Sequence, residues 1–268
     1  MSIDETAQIH RLAAVEEGAV IGPGCKIGAF AVVGPEVTLG ANVELKSHAV
    51  VEGWTTVGDG TVIFPFASIG HIPQDLKFDG ERTKLEIGAR NRIREHVTMN
   101  PGTEAGGGVT RVGDDGLFMM GVHVGHDCIL GNRIIMANNA SLGGHCIVED
   151  QVIIGALAGV HQFCRLGRGA MIGGLAAVVA DVIPYGTVQG ERASLEGLNL
   201  VGLKRAGMAK HDINGLRSVF KLLFNGSGSL RDRASALQQE YASNVLVQDV
   251  TSFILEDSSR HISVPKDS

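Results

Sequence analysis

The chain contains no long unbroken apolar run, so nothing in it reads as a membrane-spanning helix. Its start, MSIDETAQ, lacks the basic-then-apolar order of an export signal, and a soluble cytoplasmic protein is the expectation. Aromatic residues make up 4% of the 268 positions, which excludes a core built from bulky plugs. Positive charge is not in surplus either: 23 Lys and Arg against 29 Asp and Glu leave a net charge of −6. That balance argues against broad nucleic-acid binding while leaving room for a local basic patch. The four cysteines, Cys25, Cys128, Cys146 and Cys164, all occupy the small inward position of a repeat. They are expected as buried thiols, not as disulfides or metal ligands.

What the chain has is glycine, 37 of its residues, and a period. From Val112 through Phe118, Val124, Leu130 and Met136 to Val178, a large apolar residue returns every sixth position. Six is neither the 3.6 of a helix nor the 2 of a half-buried strand, so the unit is a hexapeptide. A smaller residue stands two positions before each apolar one (Val122, Cys128, Ala140, Cys146, Ala158), and Gly often follows it. One large and one small inward side chain per hexad can fill a narrow prism, with Gly expected to ease the corners. The chain should therefore coil as a parallel β-helix. Three hexads per coil would stack each residue on the one three hexads earlier, at a strand spacing of about 4.8 Å.

The same phase runs from Ile9 to Ile69 and breaks twice, once near 70–84 and once near 100–111, where three glycines occur in a row. Long ordered loops in a compact domain are more often functional than idle. Past Val178 the hexad fades and helical spacing takes over near Leu195, with four amphipathic helices to follow and a polar tail from Asp257 expected to fray. The expected division is a β-helix over 1–190 and a C-terminal helical domain over 191–268. Such a cap would cover the open edge of the last coil.

Histidines concentrate within this repeat: His123, His126, His145 and His161 lie close in sequence. The three-hexad rule places His126, Gly144 and Gln162 in one column and Asp127, His145 and Phe163 in the next. A single surface His is unremarkable, but several lining one edge over three coils point to chemistry. In one reading His126 is a general base taking a proton from a hydroxyl, with Asp127 holding its ring. In the other, His123, His126 and His145 bind a zinc-like metal. Gly144 favours the first, because an amide with no side chain beside it can face an oxyanion near His126.

Taken together, the hexads, HVGHDC, QDLKFDGERT, NRIREHVTMNPGT, LGGHC, VHQF and NLVGLKRAG resemble the UDP-N-acetylglucosamine O-acyltransferases, over essentially the whole chain. The resemblance implies a homotrimer of left-handed parallel β-helices with C-terminal helices and active sites between subunits. It implies transfer of a 3-hydroxyacyl group from acyl carrier protein to the 3-hydroxyl of UDP-N-acetylglucosamine, with no cofactor and no metal. It also implies roles: His126 as base beside Asp127, the Gly144 amide for the oxyanion, and His123, His145, His161 and Gln162 touching substrate. Asp75 and Lys77 match the sugar-binding loop, and Asn199 and Arg205 the nucleotide side. The chain departs from the family at Val201, where an acidic residue is usual, and at Ala206, where a second basic one is.

Arg192 and the surroundings of Gly174 fall where the acyl chain should end, and Ala156 stacks one coil below Gly174 as part of a groove. Arg217 and Lys221, at i and i+4 on a cap helix, are candidates for docking the acidic carrier protein. Three alternatives stay open from the residues alone: a related N-acyltransferase of the same pathway, an enzyme taking a 3-amino sugar, and a trimeric metal-dependent lyase of the carbonic anhydrase kind.

Overall fold

The hexads fold into a three-sided prism. In the computed structural model, which describes residues 2–266, strands of mostly two residues form three sheets of nine, eleven and nine strands, parallel except for the last pair of the second. The first sheet begins at Ser2–Ile3, the second at Gln8–Ile9 and the third at Ala14–Val15, and the chain visits them in turn. The prism has about 10 coils and is left-handed, against the general preference of parallel crossovers.

The register follows the three-hexad rule over most of the length, as in Val20 with Thr38 and Ile135 with Ile153. The apolar column is the core: Phe118, Val124, Met136, Leu142 and Ile154 are all fully buried, and so is the smaller column of Cys128, Ala140, Cys146 and Val152. Each large aliphatic so placed contributes roughly 1.5–3 kcal/mol, so the repeat holds without staples. All four cysteines are buried and unpaired. Burial pushes the Cys164 thiol up to about 12 and raises that of Cys25 as well.

The glycines work differently from expectation. The left-handed backbone at the corners belongs to the residue three before the apolar position, including Asn42, His48, Arg133 and Asp127, at φ of 56, 61, 55 and 59°. The glycine after the apolar position is needed because the next coil passes so close. A Cβ on Gly22 would sit 2.6 Å from the Gly40 carbonyl oxygen, and one on Gly155 would sit 2.5 Å from the Gly174 nitrogen.

Both interruptions leave from the same corner, between the third and first sheets. Ile69 pairs with Met99, five hexads on instead of three, so the first loop adds two hexads' worth of chain and Ile87 stacks on Val57 rather than on Ile69. Thr98 pairs with His123, a step seven positions longer than three hexads, so the second loop shifts the phase by one. Gly107 and Gly108 take φ of 98 and 79° in that loop, a conformation that costs glycine nothing.

Helical structure starts at Leu200, later than the spacing implied, because Ser194–Leu198 pairs antiparallel with Gly186–Gln189 as a hairpin closing the second sheet. Four helices follow, α1 (Leu200–Arg205), α2 (Lys210–Asn225), α3 (Leu230–Glu240) and α4 (Val245–Leu255). Arg165 clamps α4 to the last coil. Its guanidinium lies 2.7 Å from Asp181 and 2.8 Å from Glu256, and it donates to the Phe253 carbonyl. Against expectation, the polar tail is tied down at residues 261–263: Asp181 N–H donates to the His261 carbonyl and Ser263 N–H to that of Asp181, both at 2.7 Å.

Candidate active site

The corner that releases both loops also carries His126 and Asp127. The Asp127 side chain is fully buried, and its position is over-determined. Its Oδ1 accepts from Thr103 N–H at 2.8 Å, its Oδ2 from the Thr103 hydroxyl at 2.7 Å, and its own N–H donates to Thr110 Oγ1. Thr103 caps the short turn Glu104–Gly106, accepting from Gly106 N–H, and a side chain on Gly106 would collide with the Asp127 carboxylate. The second loop is thus folded down onto Asp127. What the turn holds, in effect, is the carboxylate.

The carboxylate in turn holds an imidazole. His126 Nδ1 lies 2.7 Å from Asp127 Oδ2, so Nδ1 donates to the carboxylate, and in the neutral ring Nε2 is the nitrogen left with the lone pair. The ring covers Gly144 in the coil above: a Cβ there would fall 2.6 Å from both Nε2 and Cε1 of His126. Gly144 N–H makes no hydrogen bond among the described residues, whereas the flanking Gly143 and His145 amides both do. A lone-pair nitrogen and an unspent amide therefore share one small space, which is what proton abstraction next to an oxyanion requires.

The surrounding rings are fixed by packing. His145 meets His126 edge-on and stacks flat on Phe163, at centroid distances of 5.0 and 4.5 Å. Its Nε2 is 3.8 Å from Asp127 Oδ2, too far for a hydrogen bond. Burial lowers its pKa, opposed by the Asp127 charge and reinforced by His126. Burial also lowers the pKa of His123, with His126 adding to the effect, while its Nδ1 pairs with Thr98 Oγ1 at 2.8 Å. Rings that resist protonation in this way leave the site less positive than four histidines suggest.

His126, Asp127 and His145 offer ligand atoms within 4.8 Å of one another, so a cation there has to be weighed. The arrangement does not suit one. Asp127 Oδ2 already receives a hydroxyl and a ring N–H, and its 2.7 Å separation from Nδ1 is a hydrogen-bond distance with no space for an ion between.

A cleft of about 560 Å³ runs from these residues over the outer face of the third sheet. His123, Ser141, Gly159 and Ala177 stack along that face, and a Cβ on Gly159 would meet nothing. His161 and Gln162 line the cleft one coil above Gly144. Gly174 and Ala156 do not line this cleft; they stack at the corner between the second and third sheets, where a Cβ on Gly174 would lie 3.2 Å from the Ala156 oxygen. Arg192, exposed, is in the hairpin turn whose Gly190 and Ala193 bond to Ala177.

The other expected residues fall elsewhere. Asp75 and Lys77 flank a separate depression beside Thr103 and Glu104, although the Asp75 charge reaches His145. From the same QDLK segment it is Gln74 that lines the His126 cleft. Asn199 and Arg205, with Val201 and Ala206, line a pocket of about 410 Å³ over the second sheet, against Ile153 and Met171. Asn199 caps α1, accepting from Gly202 N–H while its Nδ2 donates to Gly169. Arg217 and Lys221 are exposed on α2. A single chain thus assembles the histidines and leaves Asn199 and Arg205 on another face.

Thr103, Gln74, Asn100 and Arg260 were not legible as site residues. Asn100 lines the cleft with its Oδ1 buried and without a partner. Thr103 could have been flagged as a helix cap before Glu104, though not as the partner of Asp127.

A coil of hexapeptides with a polar cleft at a looped corner defines a hexapeptide transferase, and the family model "Bacterial transferase hexapeptide (six repeats)" matches residues 18–53. A second, "Udp N-acetylglucosamine O-acyltransferase; Domain 2", matches residues 181–263. Among curated relatives, an acyl-[acyl-carrier-protein]--UDP-N-acetylglucosamine O-acyltransferase of Paracoccus denitrificans is 61% identical over 76% of this chain and 77% of its own. One of the same name from Rhizobium johnstonii is 51% identical over 98% and 97%. A solved UDP-N-acetylglucosamine acyltransferase from Campylobacter jejuni superposes with a TM-score of 0.91 at 39% identity, covering 97% of this chain and 100% of that one. The chain belongs to the UDP-N-acetylglucosamine O-acyltransferase family.

Proposed function

We propose that this chain transfers a 3-hydroxyacyl group from acyl carrier protein to the 3-hydroxyl of UDP-N-acetylglucosamine, the opening step of lipid A synthesis, with no metal or cofactor. The observation that carries the reading is His126 Nε2 packed against the open side of Gly144, whose amide makes no hydrogen bond among the described residues. His126 Nε2 takes the proton of the sugar hydroxyl as its oxygen attacks the thioester carbonyl. The Gly144 N–H holds the tetrahedral oxyanion. When that collapses, the C–S bond breaks, and the carrier's thiolate leaves with the proton from His126. Asp127 keeps Nδ1 protonated and the ring aimed.

In this scheme His123, His145 and Gln162 contact the sugar and acyl oxygens, with Asp75 and Lys77 on the sugar side. The acyl chain runs over Gly159 and Ala177 toward Ala156 and Gly174, ending near Arg192. Asn199 and Arg205 cannot reach His126 within one chain, so a neighbouring copy supplies the nucleotide contacts and the working form is a homotrimer. Arg217 and Lys221 give the acidic carrier protein a basic face. No helix among the described residues is long and apolar enough to cross a membrane, and both substrates are water-soluble, which fits work in the cytoplasm.

The test is an assay of purified protein with carriers of several acyl lengths and with both UDP-N-acetylglucosamine and its 3-amino analogue, read by mass spectrometry. An ester on the 3-hydroxyl is expected, with Gly174→Met shifting the preference to shorter chains. Product on the amino sugar alone replaces this reading with N-acylation. Failure with every acyl carrier, together with stoichiometric zinc, replaces it with the lyase.

A further inference from the structure

The C-terminal segment returns to the cleft. After α4 the chain is stitched into the last coil at residues 261–263, on either side of Asp181. That fixes Arg260 over the cleft wall, nearly a hundred residues away in sequence. Its Nη2 lies 2.7 Å from His161 Nδ1 and donates to the Gln162 carbonyl at 2.9 Å, and its Nε donates to the same carbonyl at 3.2 Å.

A guanidinium has only donors and stays charged, so the short contact leaves one role for His161 Nδ1, that of acceptor. The Gln162 carbonyl 3.2 Å from Nδ1 is occupied by the same guanidinium and takes no proton from the ring. The proton of His161 then sits on Nε2. This is opposite in function to His126, whose Nδ1 donates to Asp127 and whose Nε2 is the free base. Two imidazoles two coils apart are set by partners of opposite charge, one as a proton acceptor and one as a donor.

We propose that Arg260 is a positioning residue that locks His161 as a neutral Nε2–H donor toward the acyl side of the cleft. It does so by clamping Nδ1 and the Gln162 carbonyl together. The acyl side is assigned because the His161 backbone N–H donates to the Val178 carbonyl, next to Ala177 on the wall given to the acyl chain. This rests on the acyltransferase reading for the identity of the ligand, but the state of the ring does not depend on it.

The first measurement is ¹⁵N imidazole NMR on the full-length protein, with the His161 signals assigned by their loss in His161→Asn. The wild type should show an unprotonated Nδ1 and a protonated Nε2, and Arg260→Met should move the ring toward the other tautomer. An Nδ1-protonated neutral ring in the wild type overturns the proposal without any variant. The second is kinetic: Arg260→Met should raise KM for the acyl carrier about fivefold, the scale of one oriented hydrogen bond, and leave KM for the sugar nucleotide within about twofold. Arg260→Lys, which keeps one donor, should recover part of the loss. Arg260→Met with an unchanged tautomer and unchanged carrier KM, whether or not its melting temperature falls, reduces Arg260 to a clamp for the tail and overturns the proposal. Wild-type protein that transfers no acyl group refutes the parent reading instead, and the NMR result still decides this one.

Discussion

Two corners of the same prism carry histidines, and they have been put to opposite use. Between the second and third sheets, Phe30, His48, Phe66 and His96 stack in an exposed ladder with ring centroids 5.0, 5.1 and 5.3 Å apart. Between the third and first sheets, His126 and His145 stand half-buried beside Asp127. The backbone is nearly identical: φ is 61° at His48, 58° at His96, 59° at Asp127 and 62° at His145. The coil therefore supplies only the position. The difference is made by what lands on the corner, rings alone in one case and two inserted loops with a buried carboxylate in the other.

The sharpest way to break this comparison is to remove one ring from each corner. His126→Ala should lose about 10²–10⁴ in turnover, the usual worth of a general base, with the fold retained. His48→Ala, removed from an exposed ladder, should stay within about twofold. Comparable losses at both corners, measured as kcat with saturating substrates, would mean that the looped corner is nothing special. Gly144→Ala tests the same corner from the coil above. Its Cβ would fall within 2.6 Å of the His126 ring, so the ring must swing off the carboxylate. An activity loss of about a hundredfold is expected, within the range of a displaced general base. Near-normal turnover would show that the ring's position over Gly144 does not matter.

A smaller effect isolates the loop's contribution. Thr103→Val removes the hydroxyl that donates to Asp127 Oδ2 while leaving the backbone donor to Oδ1. About a tenfold fall in kcat is expected, the scale of one charge-assisted hydrogen bond, with KM for the sugar nucleotide little changed. If the variant matches wild type, the loop's grip on Asp127 has no bearing on the chemistry.

The ease with which these two corners could be told apart in the sequence differed for physical reasons. The core and the column of His126, Gly144 and Gln162 were legible, because a coil with a constant residue count turns sequence spacing into spatial stacking. The loops broke that conversion. Nothing in 70–83 or 100–108 follows the period, so the grip of Thr103 on Asp127 and the entry of Gln74 and Asn100 into the cleft had no spacing to betray them. Arg260 was hidden for a related reason: a polar tail looks frayed until the bonds of His261 and Ser263 to Asp181 are seen. The corner glycines were misread because the need for them lies in the next coil, which a local rule about φ does not see.

The least of the expected effects separates buried from exposed rings by pH. Burial lowers the pKa of His123 and of His145, whereas in the unfolded chain an imidazole titrates near 6.5. As pH falls through that value the unfolded chain takes up protons that these folded rings refuse. Their contribution to stability is thus intact above about pH 6.5 and is lost as pH drops through the window between the unfolded and the lowered folded values. The melting temperature should therefore fall from pH 7.5 to 5.5, and His123→Asn should make that fall shallower, because one of the two refusing rings is gone. A variant whose melting temperature drops as steeply as wild type would show that burial at the looped corner does not hold His123 neutral. The contrast between the two corners would then rest on Asp127 and its loop alone.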